Sequence, residues 1–349
     1  MSKQIVAALA IAGCGLAMGA HADTPVGENT TIGGKAFIDL TDLDQKANGV
    51  KTAASGFGLD VTRFYLVANH TFDSIWSANI TTDFNYVSAD SETQLFIKKA
   101  YLQAKISDAF WVRAGSADLG WVPFVEDTYG YRYVEKELLD RTKFGTSADW
   151  GVHVGGKVAD GKVGYALSMV EGNGYKNPTR SKSLDLEGRV SFMPVQGLTA
   201  ALGFYSGKLG KDVEGTQGTP NEAVRTATRY DALLAYANDN FRIGGEYFSA
   251  DNWTAVTAAS PTKDSADGFS AWGAVNFTPQ LSGFVRYDNE KPNKDTAPTK
   301  KDEYYNLGVA TKLRKGVDLA VVWKHDEVKN NGAKASEYDE FGVWTQVAF

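Results

Sequence analysis

The sequence predicts an all-β fold, a transmembrane antiparallel β-barrel of about sixteen strands. Three observations lead to this prediction. Apolar and polar residues alternate in many short segments, the connections between these segments are alternately short and long, and no long apolar run follows the N-terminal segment. This combination is typical of strands that face lipid on one side and water on the other.

The overall composition resembles that of a water-soluble protein. Of 349 residues, 43% are hydrophobic, and the mean hydropathy is −0.29. Beyond residue 22 no segment offers the roughly 18 consecutive apolar residues that a membrane helix needs. A soluble globule or a barrel remains, because alternating strands do not raise a hydropathy average. The aromatic content of 12% favours β-structure.

The N-terminal residues predict a cleaved signal peptide over 1–22. Lys3 supplies a positive charge, residues 5–18 are apolar, and residues 20–22 form a small-x-small cleavage site. The barrel domain is then expected over 23–349. An alternative treats residues 11–14, which end in Cys14, as a lipoprotein cleavage box. That alternative would leave the apolar residues 16–18 at the mature N-terminus.

Charge and cysteine content exclude several classes of function. Cys14 is the only cysteine and the formal net charge is −6. A mature domain without cysteine forms no disulfide and no thiolate metal site, so we expect no metal and no cofactor. The acidic balance argues against a nucleic-acid partner, because binding to phosphates requires a basic face.

Alternation with a period of two is clearest at residues 76–86. Trp76, Ile80 and Phe84 lie on an apolar face, whereas Asn79 and Asp83 lie on a polar one. Lipid contact explains an apolar face with aromatic rings near both ends, because such rings favour the two membrane interfaces. A soluble sandwich gives no reason for this placement.

Sixteen such segments are predicted along the chain. They cover 35–41, 57–70, 75–87, 94–106, 109–115, 149–158, 162–170, 183–193, 198–206, 227–238, 240–249, 268–277, 281–289, 303–313, 316–327 and 339–349. Long polar connections are expected at 42–56, 88–93, 116–148, 171–182, 207–226, 250–267, 290–302 and 328–338. The short connections between them predict periplasmic turns, and the long ones predict external loops. An even number of strands closes an antiparallel barrel without free edges.

The chain ends on Phe349, in phase with the apolar row of the last segment. A terminal aromatic residue of this kind resembles the signal that outer-membrane assembly machinery reads, and the alternative is an incidental aromatic residue on a core strand. We therefore expect a multi-pass barrel in the outer membrane of a Gram-negative bacterium.

The loop at 116–148 is the one long connection that is rich in aromatic residues, among them Trp121, Phe124 and Tyr129. Loops of this length within a compact protein are usually functional or disordered, and aromatic residues argue against disorder. The alternative is a solvated external loop with surface ion pairs.

This stretch resembles a known family. Lys99-Ala100-Tyr101, Arg113-Ala114-Gly115, Pro123-Phe124 and Leu138-Leu139-Asp140-Arg141 are similar to the phosphate-selective porin O and P family, most clearly over residues 96–160. The resemblance implies a sixteen-stranded, trimeric channel whose third external loop folds into the lumen and constricts the pore. It also implies basic residues at the constriction. The chain departs from the family at residues 116–118, where a Gln is expected after the glycine.

Charged residues opposite the apolar rows are candidates for the lumen. A charge that faced lipid at the midplane would cost roughly 2–4 kcal/mol. The position of these residues in the alternation and the cost of lipid exposure therefore both predict that they face the lumen. The candidate pore-lining and constriction residues are Arg63, Lys99, Tyr101, Lys105, Arg113, Glu126, Asp127, Arg132, Arg141, Lys157, Arg189, Arg242 and Arg286. Their mainly basic character favours anions.

The sequence therefore predicts a non-enzymatic channel for passive diffusion of small hydrophilic solutes or ions. It favours a preference for anions, and phosphate-like solutes are candidates among these anions. Expected partners are outer-membrane lipid, lipopolysaccharide, the assembly machinery that reads Phe349, and two further copies in a homotrimer. One alternative is a structural or adhesive barrel. Another is an outer-membrane hydrolase, for which His70, His153 and His325 lie on three different predicted strands and form no recognisable motif.

Overall fold

A computed structural model describes residues 24–87 and 92–349, so the predicted signal peptide lies outside the described residues. Sixteen long strands form one closed antiparallel barrel in this part of the chain, which confirms the predicted fold class. The first eight strands are β1 Thr30–Ala47, β2 Gly56–Thr71, β3 Trp76–Val87, β4 Glu92–Ser107, β5 Phe110–Asp118, β6 Ala148–Val158, β7 Val163–Val170 and β8 Asp185–Phe192. The others are β9 Leu198–Gly207, β10 Ala227–Ala237, β11 Phe241–Asp251, β12 Ser265–Asn276, β13 Leu281–Lys291, β14 Lys301–Arg314, β15 Val317–Asn330 and β16 Ala333–Ala348.

Pairing of the last strand with the first closes the barrel. Each strand pairs with its neighbours in sequence, and β16 pairs with β1 from Ser336 opposite Ala47 to Ala348 opposite Lys35. The backbone of Phe349 continues this seam. Its N–H donates to the Gly34 carbonyl at 3.0 Å, and its carbonyl accepts from the Gly34 N–H at 2.7 Å. The C-terminal residue is thereby fixed to the first strand.

Side chains alternate between an exposed outer face and a buried inner face. On β10, Tyr230 and Leu234 are exposed, whereas Arg229 and Asp231 are buried. A soluble fold would bury the apolar row and expose the charged one. Here the order is reversed, as expected where the outer face meets an apolar medium and the inner face carries the polar groups.

Two predicted loops, 42–56 and 328–338, are wrong in extent. β1 continues to Ala47, and β15 and β16 run from Val317 to Ala348 with only Asn331 and Gly332 between them. Residues 48–49 and 331–332 are both Asn-Gly pairs with positive φ at each residue, as a type I′ turn requires. The polar residues beyond the apolar rows thus extend the hairpins instead of forming irregular loops.

Two helices interrupt the long loop after β5. α1 spans Val122–Tyr129 and ends at Gly130, whose φ of 84° suits a glycine at a helix C-terminus. α2 spans Leu138–Thr142, and the Glu137 carboxylate accepts hydrogen bonds from the backbone N–H groups of Leu139 and Asp140 at 2.7 and 2.8 Å. Within residues 24–87 and 92–349, no helix is long and apolar enough to cross a membrane.

Candidate functional site

The loop over residues 119–147, here called the inner loop, contacts the inner face of the wall through arginine side chains. Four arginines on four different strands each donate a hydrogen bond to a main-chain carbonyl of this loop. These hydrogen bonds join Arg189 to the carbonyl of Gly120, Arg229 to that of Phe144, Arg242 to that of Tyr129 and Arg286 to that of Lys136. Three of these arginines are candidates from the sequence, and Arg189 and Arg286 are buried. Main-chain carbonyls of the loop, among them that of Tyr129 at the end of α1, are satisfied in this way.

Wall carboxylates satisfy backbone donors of the same loop. Glu187 accepts from the Trp121 N–H at 3.1 Å, and Glu246 accepts from the Leu138 N–H at 3.2 Å. Together with Glu137, Glu246 caps the first turn of α2, where the helix dipole favours negative charge. Burial and the nearby Glu246 carboxyl raise the pKa of Glu137 well above its ordinary value.

Arg141 makes the most extensive contact between the inner loop and the wall. Its three guanidinium nitrogens donate to Asp288 at 2.9 Å, Asp302 at 2.9 Å and Asp326 at 2.7 Å. The three aspartates lie on β13, β14 and β15, so one side chain links three adjacent strands. The guanidinium also lies over the ring of Tyr304, 4.7 Å from its centroid.

An apolar interface completes the attachment of the loop. Trp121, Tyr129 and Leu138 are almost fully buried and pack with wall residues such as Phe248 and Trp272 in one cluster. Burial of a side chain of this size contributes about 1.5–3 kcal/mol. The inner loop is therefore held by apolar burial as well as by its polar contacts.

Basic side chains line the opposite part of the wall. The Lys98 ammonium lies 3.4 Å from the Tyr65 hydroxyl, and Lys99 pairs with Asp118 at 3.0 Å. Arg63 lies 3.6 Å from Asp83 on the neighbouring strand. These groups belong to β2, β3, β4 and β5, and the inner-loop residues Tyr133 and Val134 pack in one cluster with Tyr65 and Val67 of β2.

An open cavity of about 560 Å³ lies beside the inner loop, and residues of this basic wall, of β1 and of β10 to β16 line it. Among the described residues, six basic and three acidic side chains line the cavity. The basic ones are Lys35, Lys98, Lys99, Arg132, Arg242 and Lys312, and the acidic ones are Glu126, Asp127 and Asp318. Basic groups therefore exceed acidic groups in the lining although the whole chain is acidic.

Two loop carboxyls in the cavity have raised pKa values. Burial within the lumen, with the nearby carboxylates Glu126 and Asp118, raises the pKa of Asp127 to about 7, and Lys35 and Lys99 oppose this shift. Burial also raises the pKa of Glu126, although Arg132 lies in direct contact with it. The negative charge of this part of the lining therefore depends on pH near neutrality.

The candidates from the sequence fall into three groups in the structure. Lys99, Glu126, Asp127, Arg132 and Arg242 line the cavity. Arg141, Arg189 and Arg286 lie between the inner loop and the wall, where they hold the loop.

The remaining candidates lie along the wall from the cavity to the turns. Arg113 donates to Gln103 at 2.8 Å and stacks on Tyr101, with its guanidinium 4.8 Å from the ring centroid. Lys105 lies beside a short turn, where it pairs with Asp108 at 2.7 Å and is half exposed. Lys157 lies at the same end, since its backbone N–H donates to the Asp108 carbonyl. Arg63 lies on the basic wall already described.

Solved structures of outer-membrane porins resemble this chain. The anion-selective porin from Comamonas acidovorans is 12% identical, and the match has a TM-score of 0.63 and covers 92% of this chain and 99% of that one. The outer membrane channel DcaP of Acinetobacter baumannii is 12% identical, with a TM-score of 0.66 and coverage of 92% and 97%. OmpT of Vibrio cholerae, in-vitro folded and in a trimer form, is 14% identical, with a TM-score of 0.59 and coverage of 92% and 99%. The chain has the porin fold. No protein-family model and no curated protein matches its sequence.

Within this porin fold, Lys98 and Arg229 are residues that the sequence analysis missed. A register shift pairs Thr81 with Lys99 but Thr82 with Ile97, so Lys98 is an extra residue in its strand and turns inward beside Lys99. Strict alternation assigns Lys98 to the outer face and cannot detect such a bulge. Arg229, in contrast, is in phase with the inner face, so its signal was present in the sequence.

Proposed function

We propose that the protein is an outer-membrane porin, a water-filled channel for passive diffusion of small hydrophilic solutes and ions, with a preference for anions. One observation carries this proposal: a cavity beside the inner loop whose lining contains more basic than acidic groups. We assign no enzymatic activity to the chain. The porin fold that the chain shares with its solved neighbours supports a channel.

The inner loop acts as the constriction in this proposal. The passage runs through the cavity beside the loop, which Lys35 of β1 and Lys98 and Lys99 of β4 line. A rigid attachment is required, because a loop that moved freely would block or open the passage at random. The arginine contacts and the apolar interface supply that rigidity.

The charge of the passage favours anions because the many acidic groups of the wall lie elsewhere. Asp288, Asp302 and Asp326 surround Arg141 behind the loop, and Glu187 pairs with Arg229 at 3.0 Å. Carboxylates engaged with arginine in buried sites contribute little field to the passage. The lysines of the lining are then the dominant charges near a permeating ion.

Phosphate-like solutes are the finer part of the proposal. The resemblance to the phosphate-selective porin O and P family supports it, and so do the three lysines along one side of the passage. Phosphate binds lysine as a compact anion with several acceptor oxygens. We expect added phosphate to reduce chloride current through the open channel, and a chloride current that is indifferent to phosphate would remove this part of the proposal.

The membrane environment and the route of assembly are also part of the proposal. A signal peptide over 1–22 would export the chain, and the assembly machinery would recognise Phe349. Above the outward rings of Tyr287 and Tyr305, Lys301 and Lys329 lie at the loop end of the wall, where lipopolysaccharide phosphates would meet them. The trimer form of the Vibrio cholerae protein supports a homotrimer.

A hydrolase finds little support in the three histidines of the barrel. His70 bonds to the Thr30 hydroxyl at 2.8 Å, and His325 pairs with Asp339 at 3.0 Å on the outer face. His153 lies 2.9 Å from the Ser168 hydroxyl, but both side chains are buried in the wall, where a substrate cannot reach them.

Planar bilayers test the channel directly. We expect purified, folded protein to give discrete conductance steps, and its reversal potential in a potassium chloride gradient to have the sign of chloride preference. Folded protein that gives no conductance steps would refute the channel. Steps with a potential of the cation sign would preserve the channel and refute the anion preference.

A further inference from the structure

A depression in the lining of the cavity lies over Ala274, near the short turns of the barrel. Arg242, Ala274 and Phe284 lie opposite one another on β11, β12 and β13, so they form one inward row across three adjacent strands. Neighbouring strands are about 4.8 Å apart, so about 10 Å separate the backbones at Arg242 and Phe284. The small side chain of Ala274 lines the cavity between these two large ones.

Arg242 forms one edge of this depression, and most of its donors are unused. Its Nη1 donates to the Tyr129 carbonyl at 2.9 Å, and a side chain at Gly130 would overlap the guanidinium. Within residues 24–87 and 92–349, Arg242 forms no ion pair with a carboxylate, and its Nε and Nη2 donate to no protein group. These two nitrogens form the edge through which a guanidinium binds a carboxylate with two parallel hydrogen bonds.

An aromatic ring of the inner loop forms the opposite edge. Tyr131 stacks on Phe284, with 4.1 Å between the ring centroids and 19° between the ring planes, and its hydroxyl lies 3.1 Å from the Ser282 hydroxyl. These two contacts fix the Tyr131 ring, which is partly exposed and lines the cavity. An aromatic face held in this way can pack against a flat apolar surface, such as the C–H face of a sugar ring.

Groups that form hydrogen bonds with hydroxyls lie next to Ala274. Asn276 and Ser282 are paired on β12 and β13, one inward position nearer to the turns than Ala274. The Asn276 amide nitrogen donates to the Asp239 carbonyl at 2.8 Å, which fixes the amide and leaves its oxygen as an acceptor. Such an acceptor binds the hydroxyl group of a solute, whereas a simple anion such as chloride has no proton to offer.

We propose that this depression, bounded by Arg242, Tyr131, Asn276 and Ser282, binds sugar acids, which are hydroxylated rings that carry one carboxylate. The carboxylate binds to the Nε–Nη2 edge of Arg242, and one face of the ring packs on Tyr131. The hydroxyl groups then lie beside Asn276 and Ser282. A few polar groups that fix the orientation of a ligand are typical of a binding site. The inference rests on the proposed function, because the channel supplies the route to the site, and it names a class of solute.

Simpler solutes leave part of this site unused. Inorganic phosphate has no ring for Tyr131, and a neutral sugar leaves the guanidinium of Arg242 without a charged partner. A carboxylate on an apolar ring leaves the Asn276 oxygen without a donor. Hydrogen bonds to charged groups contribute more than neutral ones, so Arg242 should determine mainly affinity and Asn276 mainly selectivity.

Block of the chloride current by two ring carboxylates tests the inference. Glucuronate and cyclohexanecarboxylate have the same ring size and charge, but only glucuronate has hydroxyl groups. In planar bilayers with the unmodified protein, we expect glucuronate to halve the chloride current at about one tenth of the concentration that cyclohexanecarboxylate needs, as one or two extra hydrogen bonds predict. Isothermal titration of both solutes into the protein in detergent should give the same order of affinity.

Three variants assign the effect to particular side chains. Arg242→Gln should weaken the block by glucuronate about tenfold or more, and Asn276→Ala should reduce the difference between the two solutes. Arg189→Gln is the matched control for Arg242→Gln, because Arg189 also donates to a carbonyl of the inner loop but does not line the cavity. This control should keep the preference for glucuronate.

Equal block by the two solutes, or stronger block by cyclohexanecarboxylate, would overturn the inference. An Arg242→Gln variant that loses no more affinity for glucuronate than Arg189→Gln would also overturn it. Because a variant can fail to fold, heat-modifiable migration checks each one, and the comparison of the two solutes on the unmodified protein needs no variant. The two proposals stay separable, since protein without conductance steps refutes the channel, and titration then still decides whether the site prefers glucuronate.

Discussion

Replacement of Arg141 by alanine should release the second half of the inner loop from the wall. The guanidinium donates to three aspartates, and removal of one partner from a buried ion pair costs about 3–5 kcal/mol, because the other charge stays buried without compensation. Since each 1.4 kcal/mol is a factor of ten, the ratio of attached to detached loop should fall by about a hundredfold to a few thousandfold. The apolar contacts of α1 would remain, so the barrel itself should still form.

Single-channel recording and limited proteolysis measure this release. We expect Arg141→Ala to show noisier current and a new cleavage in the inner loop, and Arg141→Lys to be intermediate, because lysine replaces the charge but not the three-directional geometry. Lys143→Gln is the matched control, since it removes one positive charge from an exposed loop position nearby. If Arg141→Ala kept the quiet current and protease resistance of the parent, the inferred role of these contacts in loop attachment would be refuted.

Three further predictions concern the passage and a turn. Lys98→Gln should lower the anion-to-cation permeability ratio in reversal-potential measurements, whereas Lys105→Gln, beside a turn and outside the cavity lining, should leave the ratio unchanged. Burial raises the pKa of Asp127 to about 7, so acidification through that pH neutralises its carboxylate. Anion preference should therefore increase as pH falls, and Asp127→Asn should weaken this pH dependence. Gly332→Ala should lower the free energy of unfolding in urea by about 1 kcal/mol, because the φ of 76° at this position disfavours a side chain. Gly27→Ala is the control and should have little effect, because Gly27 has no positive φ and its added methyl group would meet no other atom.

The strand count was predictable because membrane barrels impose a simple rule on each strand. Residues that meet lipid must be apolar and those that face the lumen can be polar, so the period-two pattern survives in segments such as β3 and β10. Strand ends were less predictable because the rule no longer applies beyond the membrane. At 331–332 the sequence does contain the signal of a tight turn, an Asn-Gly pair, although the polarity of the surrounding residues predicted a long loop.

The role of each lumen charge was less predictable than its direction. Arg189 and Arg286 have the inward phase that the sequence indicates, but each also donates to a loop carbonyl more than sixty residues away in the chain. No local pattern encodes such a pairing. The inward direction of Lys98 was not predicted for a different reason, since one extra residue in β4 reverses the direction that strict alternation assigns to it.

The partition of charge within the barrel explains how an acidic chain can have a cavity whose lining contains more basic than acidic groups. The aspartates near Arg141 and the glutamates near α1 and α2 accept hydrogen bonds from donors of the loop. Their negative charges therefore stabilise the attachment of the loop. Lysine is poorly suited to that task, because its single ammonium cannot link three strands as the planar guanidinium of Arg141 does. Lys35, Lys98 and Lys99 are instead on β1 and β4, where they line the cavity. An exchange of the two residue types, Arg141→Lys with Lys98→Arg, should therefore keep the net charge while it weakens loop attachment, which separates the effect of geometry from that of charge.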